Sequence, residues 1–184
     1  LRKNIDQSLI NQYETYLREI EKKQLMDLLE SKNEFDIPEG IYEEEFNIIW
    51  HRVEHAKKEK KLDPDDNNLS EAKLRKRYEK IALRRVKLAI LMQEIANENK
   101  ISVTEKELTN GMLEYASQYP GQEKQIFDYF KKNPSSIESI RGPIFEKKIV
   151  DLIFTKTKVE SKKISVKDFN KLQESTFNIN KKDG

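Results

Sequence analysis

GMLEYASQYPGQEKQIFDYFKK, residues 111–132, holds Tyr115, Tyr119, Phe127, Tyr129 and Phe130, five of the sixteen aromatic residues in a chain of 184. Tyr119, Pro120 and Gly121 break the stretch in two. Before the break, Met112, Tyr115 and Tyr119 recur at i, i+3 and i+7; after it, Ile126, Tyr129 and Phe130 recur at i, i+3 and i+4. Both spacings place apolar side chains on one helical face. Two short helices are therefore predicted, each with a single apolar stripe. If the stripes face each other and the next helix, they close a small core. If they do not, aromatic rings remain on the surface for a visiting chain, and the body is open instead of sealed.

Outward from this segment the pattern is helical throughout. Thr104 and Glu107 in SVTEKEL have the spacing of a capping box, in which a threonine and a glutamate satisfy each other's backbone N–H, and predict a fourth helix reaching about Gln118. A fifth spans about 123–132, and a sixth runs to about Lys158 through Ile137, Ile140, Ile144, Ile149, Ile153 and Phe154, kinked or split by Gly142 and Pro143. Upstream, Ile5, Leu9, Tyr13, Tyr16, Ile20, Leu25, Leu28 and Leu29 mark one long helix from Leu1 to about Ser31. NEFDIPEG ends it, because Pro38 disfavours helix at Ile37.

A second helix is expected over 38–61, with Ile41, Phe46, Ile49, Trp50 and Val53 inward. A third, capped by Ser70, is expected over 71–99 on a stripe of Leu74, Tyr78, Ile81, Leu88, Met92 and Ile95. Val159 to Ser165 alternates weakly and suits an extended segment. Ser165 and Asp168 predict a last helix toward Gln173, with residues 174–184 frayed.

Composition agrees with an all-α chain. Charged residues make up 37% and apolar ones 36%, with five glycines and five prolines, as in long solvated helices packed along narrow stripes. The longest apolar run, Leu88 to Met92, is far too short to cross a membrane, and no secretory signal is visible. Absence of cysteine removes disulfides, thiolate chemistry and cysteine-bound zinc, and fits a cytoplasmic setting. The chain opens on Leu1 within what reads as helix, and is expected to be part of a longer protein.

Two patterns suggest chemistry. HRVEH sets His51, Glu54 and His55 at the spacing of certain zinc peptidases, but it runs directly into AKKEKK, a solvated helix end without a third ligand. Lys73 to Lys87 carries a net charge of +7 within a chain of net +2, which raises RNA or ribosome binding. Its bases interleave with the apolar stripe and face acidic runs at Glu43–Glu45 and Asp63–Asp66, so a solvated, ion-paired face is the simpler reading. No serine elbow, phosphate loop or paired carboxylate is present. Neither a catalytic residue nor a cofactor is expected.

Three stretches taken in order resemble one family: YLREIEKKQLMDLLESKNEFDIPEGIYEEEF (16–46), RRVKLAILMQEIANENKISVTEKEL (84–108), and the opening segment continued through IRGPIFEKKIVDLIFTKTKVESKKIS. Together they resemble the C-terminal domain of trigger factor, the bacterial ribosome-associated chaperone. The resemblance implies an elongated multi-helix body with protruding helical arms over 1–173, followed by the tail 174–184. It implies no enzymatic activity in this stretch, since the family's ribosome-docking and FKBP-type isomerase domains have no room here. It also implies ATP-independent binding of unfolded or nascent polypeptides in a cradle between the arms, with contact to the ribosome only through the domain that precedes it. The substrate-binding residues carried over by position are Met112, Tyr115, Tyr119, Ile126, Tyr129 and Phe130. A homodimer formed through the same apolar wall is left open.

Overall fold

The computed structural model describes the backbone of residues 2–177 and the side chains of residues 10–173. Among the described residues there are seven α-helices and no strand: α1 (Arg2–Lys32), α2 (Glu39–Lys58), α3 (Glu71–Glu98), α4 (Glu105–Ser117), α5 (Glu123–Lys132), α6 (Glu138–Lys156) and α7 (Val166–Phe177), with a 3-10 turn over Pro134–Ile137. The all-α expectation holds. The segment 157–165 has no partner strand, and α7 continues four residues past Gln173. Residues 178–184, the rest of the expected tail, lie outside the described residues.

The local signals act as their chemistry requires. At α4, Glu107 N–H donates to Thr104 Oγ1 at 3.3 Å and Thr104 N–H donates to Glu107 Oε2 at 2.8 Å, the reciprocal pair of a capping box. Ser70 Oγ accepts from Lys73 N–H at 3.4 Å, and Ser165 Oγ from Asp168 N–H at 3.2 Å. Gly121, with φ of +84°, makes the turn between α4 and α5 that a side chain would oppose. Lys60 and Lys100 (φ 56° and 54°) take the left-handed position that ends α2 and α3. Ile101 N–H reaches back to Ala96 at 2.8 Å and Lys61 N–H to Ala56 at 2.8 Å, the 6→1 bond of a Schellman stop. Pro143 neither splits α6 nor ends it; it is the sixth residue of one continuous helix.

The chain forms two compact units: Leu1–Leu91 with Ser161–Gly184, and Met92–Glu160. In the first, Phe46, Ile49 and Val53 of α2 pack with Leu74 and Ala82 of α3, joined by Tyr42, Trp50, Leu62, Leu69 and Tyr78. Two expected core positions differ. Ile41 is half exposed, and on α3 the buried residue is Ala82 (0% exposed) with Ile81 turned outward. Steps of four from Leu74 through Tyr78, Ala82 and Val86 define the true stripe, with alanine at a point of full burial. Above this core, Asp66 is 3% exposed, and its two oxygens accept from Arg77 Nη1 at 2.7 Å and Tyr78 Oη at 2.6 Å, which pins the 59–70 loop to α3. Desolvation, and then the bond to Asp66, pushes the Tyr78 phenol up to about 12. Elsewhere in this unit Phe169 of α7 is buried with its ring edge-on to Tyr13 of α1 at 5.0 Å.

In the second unit, Leu108 of α4, Phe130 of α5 and Ile140 of α6 form the core, with Val103, Met112, Ile126, Ile137 and Ile144 packed around them. Gly111 lets α4 approach α6: a Cβ there would stand 2.8 Å from Ile140 Cγ2 and 3.0 Å from Ile144 Cδ1. Lys148 of α6 adds a polar clamp, with Nζ donating to the two Glu107 carboxylate oxygens at 2.7 and 2.9 Å and to the Ser102 carbonyl at 2.7 Å.

Candidate functional site

The aromatic hairpin that opened the sequence reading lies wholly in the second unit. Along α4 and the turn that follows it, Leu108, Met112, Tyr115 and Tyr119 recur at helical spacing on one side. Its first turns lie in the core, where Leu108 is buried and Met112 half-buried. Beyond them the core gives out, and the same stripe emerges with Tyr115 40% and Tyr119 43% exposed. On α5, consecutive residues separate: Phe130 points inward at 3% exposure and Tyr129 outward at 56%.

Of the six residues expected to meet substrate, the structure thus brings three tyrosines to the surface. Met112 and Ile126 are half-buried and pack on the core, and Phe130 is enclosed within it. Phe130 therefore offers no face to an incoming chain, contrary to expectation. The physical reason is that positions i+3 and i+4 from Ile126 flank the stripe on opposite sides, and the core of Leu108 and Ile140 captures the one nearer to it.

The rings form a connected string. Tyr129 meets Phe130 edge-on at 5.8 Å, Phe130 meets Tyr115 edge-on at 5.7 Å and 81°, and Tyr115 lies tilted against Tyr119 at 5.6 Å. The hydroxyl of Tyr119 raises the pKa of Tyr115 above its ordinary value, through hydrogen bonding first and charge second. The face is thus polar at its tips and apolar on its ring faces. The fifth aromatic, Phe127, is half-buried beneath the Lys131 ammonium, 5.4 Å from the ring centroid. Leu113, 54% exposed, was absent from the expected set; it falls on the opposite side of α4 from Tyr115, and no periodic signal marks it.

Among the described residues the first unit carries concave surfaces on its α2 and α3 helices. Trp50, Val53, Glu54, Lys57, Glu71 and Leu74 line a cavity of about 450 Å³. Ile41, Glu44, Ile48, Arg85, Ala89 and Ile90 border a shallower one of about 320 Å³, with Ile41 50% and Ile48 44% exposed.

His51, Glu54 and His55 are all exposed; Glu54 accepts from Trp50 Nε1 at 3.1 Å, and His55 lies 3.7 Å from Glu59. Among the described residues no group of three His, Cys, Asp or Glu is placed to hold a metal ion. The bases of 73–87 are largely committed within the molecule. Arg77 pairs with Asp66, Arg84 with Asp27 and Glu30, and Arg85 with Glu45 at 2.9 Å. Arg75 pairs with Glu79 and lies over the Phe46 and Trp50 rings. Among the described residues no helix is long and apolar enough to cross a membrane.

Comparison with known proteins gives a consistent result. A family model described as bacterial trigger factor protein (TF) C-terminus matches residues 1–155. The chain is 42% identical over 170 residues to the trigger factor of Granulibacter bethesdensis, covering 92% of this chain and 38% of that protein. It is 41% identical over 147 residues to that of Rhodospirillum centenum, covering 80% and 33%. With the trigger factor of Bartonella tribocorum it shares 36% identity over 176 residues, covering 96% and 37%. The chain thus spans about a third of the length of these relatives.

Proposed function

Because the chain belongs to the family of bacterial trigger factor C-termini, we propose that it is an ATP-independent chaperone domain whose Tyr115, Tyr119 and Tyr129 bind apolar stretches of unfolded or nascent polypeptide. The supporting observation is that these three rings, on α4, the turn after it and α5, are 40–56% exposed and linked in one string, Tyr119 to Tyr115 directly and Tyr115 to Tyr129 through Phe130. Burying a tyrosine or phenylalanine removes about 150–250 Å² from water, and at about 25 cal/mol per Å² one ring contributes only a few kcal/mol. A single contact therefore releases quickly. Several contacts on one chain hold through effective concentration, and the half-exposed Ile41 and Ile48 of the first unit are a second weak patch of the same kind. Charged neighbours such as Glu114, Asp128 and Lys132 keep two such faces from adhering to each other. Tyrosine suits varied clients, since each ring has an apolar face and a polar tip.

The test is a Tyr115→Ser, Tyr119→Ser, Tyr129→Ser variant. Met112 and Ile126 are left intact because they pack on the core. Affinity for an unfolded, phosphate-free polypeptide is expected to fall about tenfold, with helix content by circular dichroism unchanged. Unchanged affinity in a folded variant would overturn this reading.

A further inference from the structure

The string of rings passes through one buried member. Tyr129 and Tyr115 lie on different helices and both rest edge-on against Phe130, at 5.8 Å and 5.7 Å. Phe130 is 3% exposed and anchored by Leu108 and Ile140. Tyr119 is tied to the same string through Tyr115. We propose that Phe130 is a positioning residue for the polypeptide-binding face: its ring fixes the orientation and spacing of Tyr115 and Tyr129, so that three side chains, on α4, the turn after it and α5, are presented as one pre-ordered surface. This inference rests on the binding role assigned to the tyrosines above.

The physical basis is that an aromatic edge-to-face contact is directional, whereas an aliphatic side chain of similar bulk fills the space without orienting a neighbour. An exposed tyrosine is otherwise free to rotate about two torsions, and ordering it on binding costs affinity. Here the order is present before the client arrives. Position 130 suits this role because it alone of the four is enclosed, and its own rotamer is set by packing.

Phe130→Leu keeps an apolar core residue and removes the ring, and Phe130→Met provides a second substitution with a flexible chain in case the leucine variant does not fold. Each is compared with wild type in two ways: the order of selectively labelled Tyr115 and Tyr129 rings by NMR relaxation, and affinity for a dye-labelled, carboxymethylated unfolded polypeptide. With circular dichroism unchanged, ring order is expected to fall and affinity to drop about three- to tenfold. In the background of Tyr115→Ser and Tyr129→Ser, the same substitution is expected to have no further effect on affinity, because Phe130 acts only through those rings. An equal loss in both backgrounds, or tyrosine rings that stay ordered without Phe130, overturns the proposal. If the tyrosine variant itself binds like wild type, the binding role fails first, and the NMR measurement still decides whether Phe130 orders the rings.

Discussion

At the scale of single residues, Glu107 is the side chain with the most to do in holding α4. It accepts from Lys148 Nζ, from Thr104 N–H and from the Thr104 hydroxyl, and these bonds, Lys148 first, lower its pKa from 4.5 to about 2. A carboxylate held low in the folded state favours folding in full above its unfolded value and loses that contribution as pH falls. The stability of the second unit is thus expected to decline on acidification from about 4.5 to about 2, and Glu107→Gln should flatten that part of the profile while lowering stability at neutral pH, as read by thermal melts across pH. The capping box was legible in the sequence as Thr104 followed three residues later by Glu107. The clamp was not, because residues 107 and 148 become neighbours only once α6 folds back on α4. For Asp66 the pairing of α3 bases with the run Asp63–Asp66 was legible, while its burial was not, because a loop carboxylate reads as solvated until Arg77 and Tyr78 are seen to enclose it.

At the scale of helices, their number and ends followed from breakers and caps, while their inward faces were harder to place. Ranking side chains by hydrophobicity favoured Ile81 on α3, yet the contact with α2 falls on Ala82, where the small side chain is fully buried. Phe130 was misplaced by a similar ambiguity, since one helical turn offers two neighbouring positions and only the tertiary core chooses between them. Gly111 lies inside α4, where replacement by alanine would gain about 1 kcal/mol of helix propensity. A methyl there would stand 2.8 Å from Ile140 and 3.0 Å from Ile144. Overpacking of that kind costs about 1–3 kcal/mol and wins. Gly111→Ala is therefore expected to lower stability by about 1 kcal/mol, and Gly111→Leu by about 3 kcal/mol, in urea denaturation followed by circular dichroism.

For the molecule as a whole, charge is the property that sequence alone most overstates. The +7 segment on α3 has most of its arginines joined to acids elsewhere in the first unit and Lys87 over the Phe35 ring, which leaves Lys73, Lys76 and Lys80 with neither an ion pair nor a ring contact among the described residues. Three such charges would release few counterions. Binding to single-stranded oligouridine is expected to be weak, with a log–log salt slope of about −2. Binding of an unfolded polypeptide through tyrosine faces should change little over the same salt range. A slope near −5 for the oligonucleotide would mean that the internal ion pairs open to meet it.

Trp50 is the only tryptophan in the chain, and it lies in the first unit with its ring stacked on Phe46 at 5.9 Å and its N–H on Glu54. Red-edge excitation of this indole consequently reports on the α2–α3 core, while Tyr115, Tyr119 and Tyr129 contribute to the near-ultraviolet dichroism of the other unit. The native chain thus contains an optical probe of its first unit, whose melting can be followed without attaching a dye, whereas the tyrosine dichroism, to which Tyr13, Tyr16, Tyr42 and Tyr78 also contribute, sums over both units.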